Sequence, residues 1–230
     1  MDIFFDIDDT LVDSESAHSA ALKKICDDYP LFSGESPETI LSEWFAINER
    51  YITLYFEQKI SLEQQRIARI KKLWGNRGVD LPDDHAREIF SQYHRSFLES
   101  CLAFPDVLPC LERLKDNKLG IITNGTSQDQ LYKLKHNHLL SFFTTVIISE
   151  EKGVVKPGKE IFRMAAHQAG SAIADCLFIG NSFETDYQGS REAGMKAIWL
   201  DRKICNRHSD AEKIHALSEL INHPLLRKKD

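Results

Sequence analysis

A short apolar run, Ile3-Phe4-Phe5, is cut off by the acids of Asp6-Ile7-Asp8-Asp9-Thr10. That is the pattern of a buried strand ending at a polar loop. Four similar runs occupy the second half of the chain: Leu119-Gly120-Ile121-Ile122, Thr145-Val146-Ile147-Ile148, Cys176-Leu177-Phe178-Ile179 and Lys196-Ala197-Ile198-Trp199-Leu200. Helical patterns separate them. After Pro157, Ile161, Phe162, Ala165, Ala166 and Ala169 recur on one face, and Gly170 stops the helix. Ser127-x-x-Gln130 reads as a capping box opening another helix. Alternating strands and helices predict an α/β fold, a parallel sheet covered by helices on both faces.

The first half follows a different period. After Val12 no strand pattern appears until about Leu119. Ser36-Pro37 reads as an N-cap followed by proline at the first helical position. Ser61-x-x-Gln64 is another capping box, and Trp44, Ile47, Tyr51 and Tyr55 recur at helical spacing. Residues 14–96 are therefore expected to form an all-helical insertion. The rest, 1–13 and 97–230, makes the α/β core. Within the insertion, Trp44, Tyr51 and Tyr55 are expected to pack its interior, and Lys23, Lys24, Arg66 and Arg69 to lie on solvated faces. Asp13 and Glu15 at its entry read as structural linkers. The basic tail 227–230 reads as a solvated end.

Composition narrows the class. The 230 residues are 42% hydrophobic and 28% charged, enough for one core plus an accessory domain. The net charge of -6 argues against a nucleic-acid polymer as partner. Five scattered cysteines without a Cys-x-x-Cys pair suggest reduced thiols. No apolar run approaches a membrane span and no leader pattern precedes the first strand, so a cytoplasmic protein is expected. His136 and His138 do not share a helix face and read as surface residues.

In an open α/β sheet, ligands sit at the carboxyl ends of the strands. Those ends carry Asp6, Asp8, Asp9 and Thr10, then Thr123, Asn124 and Gly125, then Ser149 with Lys156 further on, then Gly180, Asn181, Ser182 and Asp186. Taken singly, each is better explained as a turn or a helix start. Together, in order and each after a strand, they suit a hard cation and a phosphate. Asp6 can attack phosphorus, and Asp8 can serve as general acid and base. Thr123 and the amides near Asn124 and Gly125 can hold phosphoryl oxygens, with Asp9 and Thr10 as further substrate contacts. Lys156 can offset the crowded negative charge. Three carboxylates against one lysine call for a cation such as Mg²⁺.

Asp6-Ile7-Asp8-Asp9-Thr10-Leu11, Ile122-Thr123-Asn124-Gly125, Val155-Lys156-Pro157 and Gly180-Asn181-Ser182 with Asp186 resemble the four ordered motifs of the haloacid dehalogenase superfamily. Gly189, Ala193-Gly194-Met195 and Ala197-Ile198 are similar to its phosphatase members, and the helical insertion resembles its helical cap. The resemblance implies a Rossmann-like, doubly wound sheet and a Mg²⁺-dependent phosphatase of small phosphomonoesters. Asp6 would be the nucleophile, Asp8 the acid/base, Thr123 the phosphate-binding hydroxyl and Lys156 the stabiliser. The metal would sit on Asp6, the Asp8 carbonyl, Asn181 and Asp186. Asp-Asp-Thr and Ser149-Glu150-Glu151 resemble the branch of bacterial pyrimidine 5′-nucleotidases.

Asn181 departs from that pattern, because metal-dependent members carry Asp there. A neutral amide implies weaker Mg²⁺ binding and a larger share for Asp186. It also raises a metal-free dehalogenase as a rival, against which Asp8 argues, since carbon–halogen displacement needs no second acid. The same residues are also compatible with a sugar phosphomutase, or with a weakly active protein that binds or regulates.

Overall fold

The computed structural model describes residues 1–205, 208 and 210–226; the basic tail 227–230 lies outside the described residues. In chain order the main elements are β1 (Asp2–Phe5), α1 (Ser14–Asp28), α2 (Pro37–Phe56), α3 (Leu62–Gly75), α4 (Asp83–Ser100) and α5 (Val107–Arg113). They continue with β2 (Leu119–Thr123), α6 (Ser127–His136), β3 (Thr145–Ile148), α7 (Ser149–Lys152), α8 (Lys159–Ala169) and β4 (Cys176–Gly180). A π-helical turn (Phe183–Gln188), α9 (Gly189–Ala193), β5 (Lys196–Leu200), β6 (Lys213–Ile214) and α10 (Leu217–Leu220) follow. The residues divide into two compact units: Met1–Asp13 with Leu102–Asp230, and Ser14–Cys101.

The first unit is a six-stranded sheet in the order β3-β2-β1-β4-β5-β6, with every pairing parallel. The α/β sheet expected from the alternation is present, and β6 is a short sixth strand that the apolar runs did not announce. The strands are almost wholly buried, so they read as continuous apolar runs rather than alternating ones. Phe4, Ile122, Ile147 and Phe178 pack against Ile161, Phe162, Ala165 and Ala166 of α8, the face its spacing predicts. Gly120 makes room for Phe4, because a Cβ there would lie 2.5 Å from the ring. Gly170 ends α8 with φ 72°, as a C-terminal glycine should. The strand order reverses at β1, between β2 and β4, and there the carboxyl ends open a crevice.

The second unit is all-helical. Ser36 caps α2 by accepting from the Thr39 amide, and Ser61 and Gln64 form the capping box of α3. Trp44 is fully buried and its indole donates to Tyr93 Oη at 2.8 Å. Tyr51 and Tyr55 are only half-buried. Two expectations need correction. The insertion continues past residue 96, because Phe97 stays buried and stacks on His18, carrying α4 to Ser100. Arg69 is not solvated: it is buried, donates to Asn48 Oδ1 at 2.9 Å and lies 4.8 Å from the Phe90 ring centre. Its stem and planar head pack on aromatics while the amide meets the charge. Lys23, by contrast, is exposed and pairs with Asp27. Among the described residues no helix is long and apolar enough to cross a membrane.

Candidate active site

The candidate residues all belong to the sheet unit. Asp6 extends β1 by one residue, and its amide donates to Ile179 of β4 at 3.0 Å. The chain then turns tightly over Ile7, whose carbonyl accepts from the amides of Thr10, Leu11 and Val12. Asp9 makes the turn with φ 54°, a region that short polar side chains tolerate. This geometry separates the Asp6 and Asp8 carboxylates. Asp6 is buried, whereas the Asp8 side chain retains 34% exposure.

Lys156 joins the two buried acids. Its Nζ lies 2.6 Å from Asp6 Oδ1 and 2.7 Å from Asp186 Oδ1. Burial opposes the lysine's charge, but the Asp186 and Asp6 carboxylates outweigh it and hold its pKa above the ordinary value. The Asp6 carboxyl is pushed up to about 7. Burial is the main cause; Lys156 opposes it, and the Asp186 and Asp8 carboxylates add to it. Asp186 stands on the π-helical turn after β4, where the Asp186 and Tyr187 amides both donate to Ser182 O. Its Oδ2 accepts from the Ser182 amide at 3.0 Å. Gly180 leaves the space: a Cβ there would fall inside the Asp186 carboxylate.

Several neighbours have other roles than the sequence indicates. Asn124 brackets the Lys156 backbone, its Oδ1 accepting from the amide and its Nδ2 donating to the carbonyl. Its side chain therefore positions the lysine, which leaves the expectation for its backbone amide as it was. The Gly125 amide donates to Ser149 Oγ at 3.0 Å, so that group is not a phosphate donor. Thr10 is fully buried, and its hydroxyl accepts from the Asn181 amide at 3.0 Å, which makes it a brace for the β4 loop and not a substrate contact. Arg202 fixes the same turn, donating to Thr10 O and to both Asp106 oxygens. Asn181 is held in turn by the Trp199 indole, which donates to its carbonyl at 2.8 Å.

Residues 3–200 match the model of the haloacid dehalogenase-like hydrolases. The chain belongs to that family. Over 202 residues it is 32% identical to the pyrimidine 5′-nucleotidase YjjG of Escherichia coli K12, covering 86% of this chain and 85% of the relative. The solved structure of the HAD-hydrolase YfnB from Bacillus subtilis bound to magnesium superposes with a TM-score of 0.79 at 23% identity, covering 96% of each chain. The L-2-haloacid dehalogenase of Xanthobacter autotrophicus superposes with a TM-score of 0.74 at 18% identity, again over 96% of each. Both likenesses show the Rossmann-like fold, and membership places the chain among hydrolytic enzymes.

Within this haloacid dehalogenase-like site, a divalent metal suits the donors. Among the described residues no three His, Cys, Asp or Glu side chains converge as a metal cluster. The candidates are instead the carboxylates of Asp6 and Asp186, the Asn181 amide and the Asp8 carbonyl. Oxygen-only donors with one or two carboxylates match Mg²⁺, which keeps several waters.

Two further neighbours of the candidate residues, both on α6, carry no motif that marks them as such in the sequence, where Gln130 stood out only as part of a capping box. Lys133 Nζ lies 2.5 Å from Asp8 Oδ1, and Gln130 Nε2 donates to Asp8 Oδ2 at 2.9 Å. Gln130 also donates to Thr123 Oγ1 at 2.9 Å and to Asn124 O at 2.8 Å. It does not serve a capping box, since Thr126 is the N-cap and accepts from the Asp129 amide. With Lys133, the three acids face two cations, not one.

Proposed function

We propose that this chain is a Mg²⁺-dependent phosphomonoesterase of small phosphorylated metabolites, working through an aspartyl-phosphate on Asp6. The supporting observation is the second carboxylate: Asp8 follows the buried nucleophile on the same turn and is held by both oxygens. Phosphoryl transfer uses such a group twice, and dehalogenation has no need of it.

In the first step a carboxylate oxygen of Asp6 attacks phosphorus while Asp8 gives its proton to the departing alkoxide. In the second, water attacks the same phosphorus, Asp8 takes the proton, and Asp6 leaves as carboxylate with inorganic phosphate. Thr123 donates its hydroxyl hydrogen to a phosphoryl oxygen. Lys156 keeps the Asp6 and Asp186 carboxylates together in a buried place where they would otherwise repel. Asp6, the Asp8 carbonyl, Asn181 and Asp186 would hold Mg²⁺, which screens the phosphoryl charge when bound. The inserted helical unit acts as the cap that selects substrate. Similarity to a pyrimidine 5′-nucleotidase makes nucleoside monophosphates the first substrates to try. Five free cysteines fit an enzyme of the cytoplasm.

The test is turnover of p-nitrophenyl phosphate, nucleoside monophosphates and sugar phosphates, with Mg²⁺ and with chelator, beside Asp6→Asn. Phosphate release that requires Mg²⁺ and is abolished in Asp6→Asn is expected. Sugar-phosphate isomerisation without release would mean a mutase. Inactivity on the whole panel would turn the reading to a binding or regulatory protein, which Asn181 favours.

A further inference from the structure

Hydrogen-bond polarity around α6 assigns a task to Gln130 and Lys133. The Gln130 amide carries two hydrogens and meets three acceptors within 2.9 Å: Asp8 Oδ2, Thr123 Oγ1 and Asn124 O. Gln130 is 1% exposed and Lys133 4% exposed, so these bonds are made away from bulk water. Because Thr123 Oγ1 accepts from Gln130, its own hydrogen is left to point elsewhere. Asn124 O, which could accept that hydrogen, is 3.4 Å away, a weak partner. Asp8 receives donors on both oxygens, Gln130 on one and Lys133 on the other. A carboxylate has about four acceptor positions, and one donor on each oxygen fixes its plane. Gly125 belongs to the same device, since a Cβ there would press on the Gln130 amide at 2.9 Å.

We infer that Gln130 and Lys133 are positioning residues for the second half-reaction: they orient Asp8 to take the proton of the attacking water, and Gln130 also orients Thr123 to donate to the phosphoryl group. The inference rests on the phosphatase reading. In the step concerned, the water oxygen forms a bond to phosphorus, the bond from phosphorus to Asp6 breaks with its electron pair returning to the carboxylate, and the water proton passes to Asp8.

The two half-reactions separate kinetically. kcat/KM reports everything up to departure of the leaving group, whereas kcat includes hydrolysis of the aspartyl-phosphate. The experiment compares wild type, Lys133→Gln, Lys133→Arg and Gln130→Met on p-nitrophenyl phosphate with Mg²⁺. Steady-state and rapid-mixing rates are measured, and phosphoprotein is trapped by acid quench. For Lys133→Gln we expect kcat to fall by about tenfold or more while kcat/KM stays within about threefold, because p-nitrophenolate leaves without a proton from Asp8, and on this substrate the water step is the one that needs the oriented base. The trapped phosphoprotein fraction should rise above wild type. Lys133→Arg, which keeps the cation, should restore most of kcat. Gln130→Met should show the same accumulation and a raised KM, since Thr123 loses its orientation as well. Parallel losses of kcat and kcat/KM without accumulation, or no loss in either variant, would overturn the inference. Failure of wild type itself to turn over with Mg²⁺ would sink the phosphatase reading first, so the two failures are told apart.

Discussion

Lys156 Nζ lies 2.6 Å from Asp6 Oδ1, and both side chains are at least nine-tenths buried. Such a pair is costly to bury and more costly to break, because the remaining charge keeps its desolvation without its partner. Lys156→Met leaves Asp6 and Asp186 facing each other. We expect a loss of about 3–5 kcal/mol in unfolding free energy, read by urea denaturation at mildly alkaline pH in chelator. A loss below about 1 kcal/mol would show that the lysine is not what keeps the acids together.

Asp6 also sets a pH dependence. Its carboxyl stands at about 7 in the fold against an ordinary 3.8, chiefly through burial. The folded state therefore binds this proton more tightly than the unfolded chain. The associated stability is complete below the unfolded pKa and is lost as pH rises through the folded one. Chelated wild type should lose stability between about pH 4 and pH 7.5, and Asp6→Asn should lack that component. Urea midpoints measured across the range decide it, and identical pH profiles for the two proteins would refute a raised Asp6 pKa.

Asn181 lies beside this charge cluster with a neutral amide. If it is a metal ligand, Asn181→Asp adds a charge where the cation sits, and apparent Mg²⁺ affinity should rise by at least about tenfold, the part of a Coulomb gain of about 4 kcal/mol for unit charges near a protein surface that survives desolvation of the new carboxylate. Isothermal titration, or the Mg²⁺ dependence of the melting temperature, measures it. Unchanged affinity would remove position 181 from the ligand set.

Gly180 allows the Asp186 carboxylate to lie directly over the end of β4. Gly180→Ala places a methyl group inside that carboxylate and must displace either the π-helical turn or the strand. The expected cost is roughly 1–3 kcal/mol, with loss of phosphatase activity, since Lys156 would lose one of its two partners. A variant that melts and turns over like wild type would show that Asp186 needs no such close approach.

Much of the candidate site was legible because strand ends in a parallel sheet have a sequence signature. An apolar run buried on both faces stops abruptly where polar atoms must begin, so Asp6, Thr123 and Asn181 were placed at one edge by the ends of their strands alone. Capping worked for Ser36 and Ser61 because it is a local bond within one turn. It failed at Ser127, where Thr126 took the cap and Gln130 turned inward. Spacing cannot distinguish those outcomes, since both residues lie in the same first turn.

The sequence by itself determined the alternation of strand and helix, the parallel sheet, the helical insertion and the order of the acids along one edge, because burial periodicity and strand ends are properties of neighbouring residues. Only the tertiary structure decided which polar groups meet. Lys133 meets Asp8 across 125 positions, and Lys156 meets Asp6 across 150. The Asn124 side chain braces the Lys156 backbone, Thr10 braces Asn181, and Arg69 is buried among aromatics. A lysine or an amide carries the same letter whether it faces solvent or a buried carboxylate. The difference arises when packed helices turn one face inward, where a charge without a partner would cost several kcal/mol.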